Sequence, residues 1–298
     1  PQMRFEAVVQ ENPKGLGPGQ MVESFVLLSA LGGECLADFD NLRRDRGLAA
    51  LLGYDLPAAS TARQWLERDF HEEPILAARP RQGSFIPAES EGLAALRVVL
   101  NHSVRAFVAA APPERQVTLD VDAHLVACSK REALPTYEGF RGYQPLLVVW
   151  AQTGLVLGDE FRDGNVPASR ELARVVDEAY EALPYRAEGW EVRVRSDSAA
   201  YEQGILDHWQ ERGWQFAVSA DLSVQLRAEI ERLPHEAWHF WEQEASGVVR
   251  EWAEVPFVPS RIREKRDLQP YRYLALRVRT AQGVLFADGA TVKHFALV

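Results

Sequence analysis

The chain has 298 residues, of which 47% are hydrophobic and 26% carry a charge, and this composition is ordinary for a soluble globular protein. Its length favours more than one domain. The net charge of −10 argues mildly against a nucleic-acid partner but does not exclude a local basic groove. No apolar run approaches the roughly 18 residues that span a bilayer, and the start lacks an apolar signal core. With Cys35 and Cys128 as its only cysteines, the protein is expected in a reducing cytoplasm without a membrane partner.

The first part of the chain is predicted to be helical. Apolar residues recur there at helical spacing, and Gly or Pro residues end each stretch. A domain boundary is expected where the last of these helices ends in two prolines, at 111–113. The predicted helices cover Gln20–Leu31, Leu36–Leu52 with a break near Gly47, a stretch that starts at Ser60, and Glu91–Ala111.

The helix that starts at Ser60 has the features of a DNA-reading helix. The Ser60 hydroxyl is predicted to cap it by accepting a hydrogen bond from an early free N–H. Trp65 and Leu66 are expected to turn inward, which leaves polar residues on or near the exposed face. The pattern resembles a helix-turn-helix reader, although other small helical domains also show it. The candidate DNA-contacting residues are Arg63, Gln64 and Arg68.

From Gln116 onward the pattern changes to strands and helices in the order β-β-β-α-β-α-β. This order predicts an α/β fold in which three antiparallel strands are followed by parallel additions. After Asp221 a helix leads into a strand-rich region. The predicted strands cover Val117–Cys128, Pro145–Ala151, Leu155–Phe161, Trp190–Arg195, Trp214–Val218, Val248–Val255, Tyr271–Thr280 and His294–Val298.

Two carboxylates, Asp120 and Asp122, occupy alternate positions of the first predicted strand and therefore share one face. Adjacent carboxylates repel each other, and Mg²⁺ or Mn²⁺ best offsets this repulsion. Asp197 follows the fourth strand, at the edge where open α/β sheets bind ligands. Because the first and fourth strands of such a sheet commonly lie side by side, the three acids are expected to converge on a two-metal site for phosphodiester chemistry. The alternative is that they are solvated or cap turns.

Basic residues flank this predicted site and could grip phosphates, with surface salt bridges as the alternative. A denser basic run near residue 263 is either a loop that tracks a DNA backbone or a solvated face. The flanking residues are Lys130, Arg131, Arg141, Arg162 and Arg170, and the dense run comprises Arg261, Arg263, Lys265 and Arg266.

The segment His235-Glu-Ala-Trp-His239 fits the H-E-x-x-H signature of zinc proteases. On a helix, both histidines would bind Zn²⁺ and Glu236 would act as general base. Pro234 directly precedes the segment and strand-like sequence follows it, so little helix is available. A zinc metalloprotease is therefore a lesser alternative to a polar loop that carries tryptophans.

Four short motifs occur in order along the chain. Together they resemble the DDE transposases of bacterial insertion sequences, in the group with a β-rich insertion inside an RNase H-like catalytic domain. The resemblance covers most of the chain from about Gly17 onward. The motifs are Leu119-Asp-Val-Asp-Ala-His124, Tyr137-Glu-Gly-Phe-Arg-Gly-Tyr-Gln-Pro-Leu-Leu147, Phe161-Arg-Asp-Gly-Asn-Val166 and Arg195-Ser-Asp-Ser-Ala-Ala-Tyr201.

The resemblance implies an RNase H-like α/β domain preceded by an α-helical N-terminal domain. The expected divisions are a helical DNA-binding region over 1–113, the first part of the catalytic core over 114–222 and a β-rich insertion over 223–298. The implied activity is cleavage and strand transfer of double-stranded DNA at transposon terminal repeats. It uses two Mg²⁺ or Mn²⁺ ions and a homodimer on DNA in a bacterial cytoplasm.

The resemblance also assigns the acids, but incompletely. The first family Asp falls on Asp120 or Asp122 and the second falls on Asp197, whereas no position corresponds to the family's catalytic Glu. The chain is therefore expected to be a truncated transposase whose catalytic core lacks its remainder. A catalytically inactive DNA-binding remnant is the alternative.

Overall fold

The computed structural model describes residues 15–70, 73–80, 82–110, 115–183, 189–259, 271–280, 286 and 291–298. The chain forms two compact units, residues 1–112 and residues 113–298. The predicted boundary at 111–113 and the basic run at 261–266 lie outside the described residues.

The first unit is helical, as its periodicity predicts. The predicted stretch Leu36–Leu52 forms two helices, with the break at 43–45 instead of near Gly47. The break falls there because the Asp45 side chain accepts a hydrogen bond from the Leu48 N–H at 3.0 Å and so caps a new helix. The helices are α1 (Pro18–Ala30), α2 (Asp38–Leu42), α3 (Arg46–Leu52), α4 (Ala59–Asp69), α5 (Glu73–Ala77) and α6 (Glu91–Ala110).

Aromatic residues form the core of the first unit. Phe39 of α2 is fully buried, and the ring of Phe25 on α1 lies 5.3 Å from it. Phe25 also stacks 5.6 Å from Trp65 of α4, and Phe70 meets Trp65 edge-on at 4.8 Å. These ring contacts hold α1, α2 and α4 together, with Trp65 turned inward as the periodicity predicts.

The N-cap of helix α4 lies two residues earlier than the sequence indicates. Its N-cap is Ala58, which offers no capping side chain, so the prediction that Ser60 caps the helix was wrong. Instead, Asp40 of α2 accepts a hydrogen bond from the Ala59 N–H at 3.3 Å. A neighbouring helix therefore satisfies one of the free N–H groups, which ties α2 to the start of α4.

Helix α6 is the described helix whose length and apolar composition would suffice to cross a bilayer, with a mean hydropathy of 1.3. Of that stretch, 6% is buried within the structure. Arg97 and Arg105 interrupt the apolar residues of this helix, so no uninterrupted apolar run reaches that length, but they leave the average hydropathy high.

The second unit is a mixed α/β structure whose main elements follow the predicted order. The predicted first strand is interrupted at residues 124–125, which divides it into a long and a short strand. The elements up to the end of the parallel strands are β1 (Gln116–Ala123), β2 (Val126–Ala127), β3 (Leu134–Pro135), β4 (Arg141–Tyr143), β5 (Leu146–Trp150), β6 (Leu155–Glu160), α7 (Leu172–Ala182), β7 (Glu191–Ser196), α8 (Gln203–Glu211) and β8 (Gln215–Ala220).

The strand-rich region that follows continues the same sheet. Among the described residues, nine strands form one sheet in the order β6-β5-β1-β7-β8-β12-β11-β10-β9. Strand β1 is antiparallel to β5 and parallel to β7, and β8 is parallel to β7. The five strands from β6 to β8 have the arrangement of an RNase H-like domain, as the resemblance implies. The added elements are α9 (Val224–Glu231), β9 (His239–Gln243), β10 (Val249–Val255), β11 (Tyr273–Arg279) and β12 (Val292–Leu297).

Strand β12 joins the strand-rich region to the core. It runs antiparallel to β8, with Ala296 opposite Ala220. Val218 and Val298 exchange two backbone hydrogen bonds of 2.9 Å. The chain thus leaves the core after Ala220 and returns beside the same strand.

Strand β1 has two chemically different faces. On the apolar face, Gly158 of β6 lets α7 approach closely, because a Cβ at this position would lie 3.1 Å from the Ala179 methyl group. Asp120 and Asp122 lie on the opposite face. The buried residues of β1 on the apolar face are Val117, Leu119 and Val121.

A separate small sheet, in the order β2-β4-β3, follows the carboxyl end of β1. Val126 of β2 pairs with Tyr143 of β4. A Cβ on Gly142 would lie 2.4 Å from the Val126 carbonyl oxygen, and one on Gly164 would lie 2.5 Å from the Gly142 carbonyl oxygen. The absence of a side chain at Gly142 lets β4 approach β2, and its absence at Gly164 lets the motif 161–166 pack against the motif 137–147.

Candidate active site

The parallel pairing of β1 with β7 brings two of the predicted acids to adjacent positions. Val121 lies opposite Ser196, and the next residues along the two strands are Asp122 and Asp197. The backbone of Asp197 stays extended (φ −70°, ψ −168°), so this residue continues the alternation of β7. With neighbouring strands about 5 Å apart, these two exposed acids are neighbours at the carboxyl edge of the sheet.

Asp197 is oriented by its own chain. Its Oδ1 accepts a hydrogen bond from the Ala199 N–H at 2.9 Å, which caps the short 3₁₀ turn Ser198–Ala200. The alternative that this acid caps a turn is therefore realised. One hydrogen bond occupies one lone pair of one oxygen, so the carboxylate retains capacity for a ligand.

Asp120 forms an ion pair across the strands. Arg195, directly opposite on β7, donates from Nε to Oδ1 at 2.5 Å and from a terminal nitrogen to Oδ2 at 2.6 Å. This bidentate pair engages both carboxylate oxygens, and the hydrogen bonds to Asp120 raise the pKa of Arg195. The signal that could have shown it is the position of Arg195, two residues before Asp197 and hence on the same face.

The three predicted acids do not converge as one group. Among the described residues, no three side chains of His, Cys, Asp or Glu are placed to hold a metal ion together. The prediction of a three-acid cluster is therefore corrected to the neighbouring pair Asp122 and Asp197, with Asp120 neutralised beside it. Carboxylate oxygens suit Mg²⁺ or Mn²⁺, so this pair fits such an ion in the kind of donor it offers.

A further acid, Asp159 of β6, shares the face and the row of Asp122. Leu147 of β5 lies opposite Asp122 on one side and opposite Asp159 on the other. Two strand spacings separate the backbones of the two exposed acids by about 10 Å. Asp159 therefore provides a carboxylate of similar exposure outside the neighbouring pair.

Three of the predicted DNA-contacting residues lie in the small sheet and its connections, in the segment that follows β1. Lys130, Arg131 and Arg141 are all exposed, and none forms an ion pair within the part of the chain that the structure describes. A terminal nitrogen of Arg141 donates to the carbonyl oxygen of Arg131, which draws the two residues together. This arrangement leaves positive charge on the segment that follows Asp122.

Arg162 cannot contact DNA, because its side chain is fully buried. Its Nε donates to Glu160 Oε1 at 2.7 Å, and a terminal nitrogen donates to the carbonyl oxygen of Ala168 at 3.1 Å. Burial lowers the pKa of Arg162 to about 10, although the Glu171 carboxylate opposes this shift. The prediction that Arg162 grips a phosphate was wrong, and the residue instead supports the loop after β6 from within.

Helix α4 exposes Arg63 and Gln64, as the periodicity predicts. Arg68 is also exposed but is engaged by its neighbour. It donates to the two carboxylate oxygens of Asp69 at 2.7 and 2.8 Å, and these hydrogen bonds raise the pKa of Arg68. Arg68 is therefore less suited to a phosphate than Arg63.

The segment His235–His239 does not form a zinc site. His235–Ala237 is a single 3₁₀ turn after Pro234, and His239 already begins β9. The two histidines therefore share no helical face, and the His239 ring packs 4.7 Å from Trp252. The zinc-protease alternative was wrong, because the proline and the following strand leave no helix to present the motif.

The family model of the transposase DDE domain, group 1, matches residues 15–261, which is most of the chain. The chain belongs to this DDE transposase family. The match contains Asp122 and Asp197 and confirms that the four motifs are those of a DDE transposase. No curated protein matches the sequence.

Solved structures similar to this DDE transposase are transposase complexes. A piggyBac transposase synaptic complex with hairpin DNA is 11% identical with a TM-score of 0.41, over 99% of this chain and 54% of that chain. A Mos1 mariner paired end complex with Mn is 15% identical with a TM-score of 0.25, over 76% and 69%. A Drosophila P element transposase strand transfer complex is 16% identical with a TM-score of 0.26, over 64% and 40%. The chain thus spans about half the length of the piggyBac protein.

Proposed function

We propose that this DDE transposase cuts double-stranded DNA at transposon ends and joins the ends to a target, in a reaction that depends on Mg²⁺ or Mn²⁺. The observation that carries the proposal is the adjacency of Asp122 and Asp197 at the carboxyl edge of parallel strands β1 and β7. Membership of the transposase family supports the same chemistry.

Asp122 and Asp197 are the residues that would hold the metal. When bound, two divalent ions activate a water or a DNA 3′-hydroxyl and stabilise the leaving oxygen of the phosphodiester. Asp122 is the better candidate for the first acid of the family, because Arg195 already engages both oxygens of Asp120.

The surrounding charges prepare the site for a polyanion. Arg195 neutralises Asp120, which reduces the repulsion that Asp122 meets from a neighbouring carboxylate. Lys130 and Arg141 carry exposed charge on the segment that follows the acids, where they would attract the DNA backbone. The protein thus contributes mainly positioning and charge stabilisation.

The test is a cleavage and strand-transfer assay on duplex DNA that ends in the transposon's terminal repeat, with Mg²⁺ or Mn²⁺. Asp122→Asn and Asp197→Asn should each abolish both products, because each removes a charged ligand. Asp159→Asn is the matched control and should retain activity, and Asp120→Asn should retain far more activity than Asp122→Asn. Cleavage by Asp122→Asn at the parent rate would contradict the proposal.

A second candidate is a DNA-binding protein that does not cut. It is favoured by the lack, within the described ranges, of a third acid grouped with the neighbouring pair. In the same assay this candidate would retard the end duplex in a gel but give no product with either metal. Product formation that depends on Asp197 would rule it out.

We further propose that the protein acts as a homodimer on DNA in the cytoplasm of a bacterium that carries the insertion sequence. The two free thiols, Cys35 and Cys128, accord with a reducing compartment. The mass of the complex with the end duplex measures the number of protomers. A single protomer on two joined ends would contradict the dimer.

A further inference from the structure

Many arginines of the described structure are neutralised by carboxylates, and the connection between α2 and α3 is a concentrated exception. Arg43, Arg44 and Arg46 lie within four residues of one another, and all three are exposed. None of them forms an ion pair with any residue that the structure describes. Three guanidinium groups on one short segment that donate to no carboxylate keep their hydrogen-bond donors available to an anion.

The carboxylates nearest to this segment are directed at backbone N–H groups. Asp38 accepts from the Glu34 and Cys35 N–H groups at 2.9 and 3.0 Å, and these bonds lower the pKa of Asp38. Asp40 accepts from Ala59, and Asp45 accepts from the Leu48 N–H at 3.0 Å. Because these acids cap helices and turns, they leave the arginine forks available to an external anion.

The segment lies close to the start of α4. The hydrogen bond between Asp40 and the Ala59 N–H joins α2 to the first turn of α4. Arg44 follows Asp40 by one helical turn, and Arg43 retains helical backbone angles, so the cations continue on from this junction. The exposed side of α4 carries Arg63 and Gln64, whose side chains can donate to base edges.

We infer that the α2–α3 connection is a phosphate-binding surface for duplex DNA, in which Arg43, Arg44 and Arg46 contact the backbone. Guanidinium forks match phosphate oxygens, and such contacts fix the register at which a neighbouring helix meets the bases. Arg63 and Gln64 of α4 are then the base-facing side chains. The inference rests on the proposed function, which makes DNA the ligand, but it assigns residues that the sequence motifs did not.

The test measures the affinity of the full chain for a mixed-sequence duplex of about three helical turns over a range of salt concentrations. The logarithm of the affinity falls as the logarithm of the salt concentration rises. In the triple variant Arg43→Gln, Arg44→Gln, Arg46→Gln this fall should become less steep, by about 0.9 for each phosphate that the chain no longer neutralises. The matching lysine triple variant keeps the charge and should keep the slope. Thermal melting of each variant reports that the first unit remains folded.

The control is a second triple variant with the same change in net charge. Arg232, Arg250 and Arg272 are each ion-paired with a glutamate, and their glutamine substitutions should leave the slope unchanged. The inference would be overturned if the Arg43, Arg44 and Arg46 variant kept the salt dependence of the parent, or if the control variant lost as much salt dependence. Either result would leave the proposed cleavage standing. A parent chain with no affinity for the duplex would contradict the proposed function as well.

Discussion

The roles of charged residues in this transposase depend on their partners across the fold. Asp120 and Asp122 are equivalent by alternation along β1, yet Arg195 engages both oxygens of Asp120, while Asp122 lies next to Asp197 at the sheet edge. An exposed ion pair of this kind adds little stability, typically up to about 1 kcal/mol. Its importance is that it separates a neutralised acid from one available to a metal.

Arg162 and Arg141 form an informative pair for mutation. Arg162→Ala should lower the free energy of unfolding by about 2 kcal/mol or more, because it leaves a cavity at a fully buried site. It also removes one of the two arginine partners of Glu160, the other being Arg174. It should leave the salt dependence of DNA binding unchanged in the folded protein. Urea denaturation and salt titration measure the two effects.

Arg141→Ala should show the opposite pattern. Arg141 is exposed and forms no ion pair in the described structure, so its loss should change stability by less than about 0.5 kcal/mol. It should instead reduce the salt dependence of DNA binding. If Arg162→Ala reduced the salt dependence of DNA binding but kept the free energy of unfolding of the parent, Arg162 would have to contact a phosphate after all.

At the scale of elements, the small sheet depends on glycines that let backbones touch. Gly164→Ala should lower the free energy of unfolding by about 1–3 kcal/mol, because the new methyl group would lie 2.5 Å from the Gly142 carbonyl oxygen. Gly204→Ala in α8 is the control, since a Cβ there meets no atom within 4 Å, and it should be neutral or stabilising. Equal melting temperatures for the two variants would show that the contact tolerates the methyl group.

The β10–β11 pair is tied by a charged cluster. Glu251 of β10 accepts from Arg277 at 2.8 Å and from Arg279 at 2.8 and 3.0 Å. Burial of the largely enclosed carboxylate would raise its pKa, but the hydrogen bonds from both arginines outweigh burial and lower the pKa of Glu251 below its ordinary value of 4.5. The carboxylate is therefore held in its charged form.

The direction of this shift sets a pH dependence. A lowered pKa in the folded state stabilises the protein above pH 4.5, and the stabilisation is lost as pH falls further. Glu251→Gln should cost about 1–3 kcal/mol near neutral pH, and the difference from the parent should shrink below pH 4.5. Glu242→Gln, from an exposed pair with Arg250, should cost up to about 1 kcal/mol. A Glu251 effect that stays constant with pH, measured by denaturation, would contradict this account.

At the scale of the whole molecule, the periodic spacing of apolar residues predicted most of the fold. Alternation in β1 and the order of the following elements were enough to predict that the first and fourth strands are neighbours. They did not separate Asp120 from Asp122, because that distinction depends on the ion pair between Asp120 and Arg195. The break between α2 and α3 was misplaced because a side-chain cap by Asp45, and not the nearby Gly47, begins the second helix.

The parts that sequence patterns could not show are contacts between distant residues. The burial of Arg162 depends on the loop after β6, which folds over it. The sequence of a motif does not show whether a basic residue in it is buried or exposed. The H-E-x-x-H letters likewise carry no information on whether a helix is present, and here Pro234 and β9 prevent one. Tertiary context therefore decided the role of each charged group.

Ala220 lies opposite Ala296 in antiparallel strands, so the stretch between them starts and ends at the same place on the sheet. Its two ends are as near to each other as the ends of a hairpin turn. The stretch also contacts the core at Tyr271, which donates a hydrogen bond to Asp207 of α8, and at Tyr273, whose hydroxyl lies 3.0 Å from that of Tyr201, so a replacement would have to restore these contacts. Chain-closure entropy grows slowly with length, so longer or shorter inserts should be tolerated at this position. The same geometry would allow a tight turn to bridge Ala220 and Ala296 directly and give a minimal version of the core.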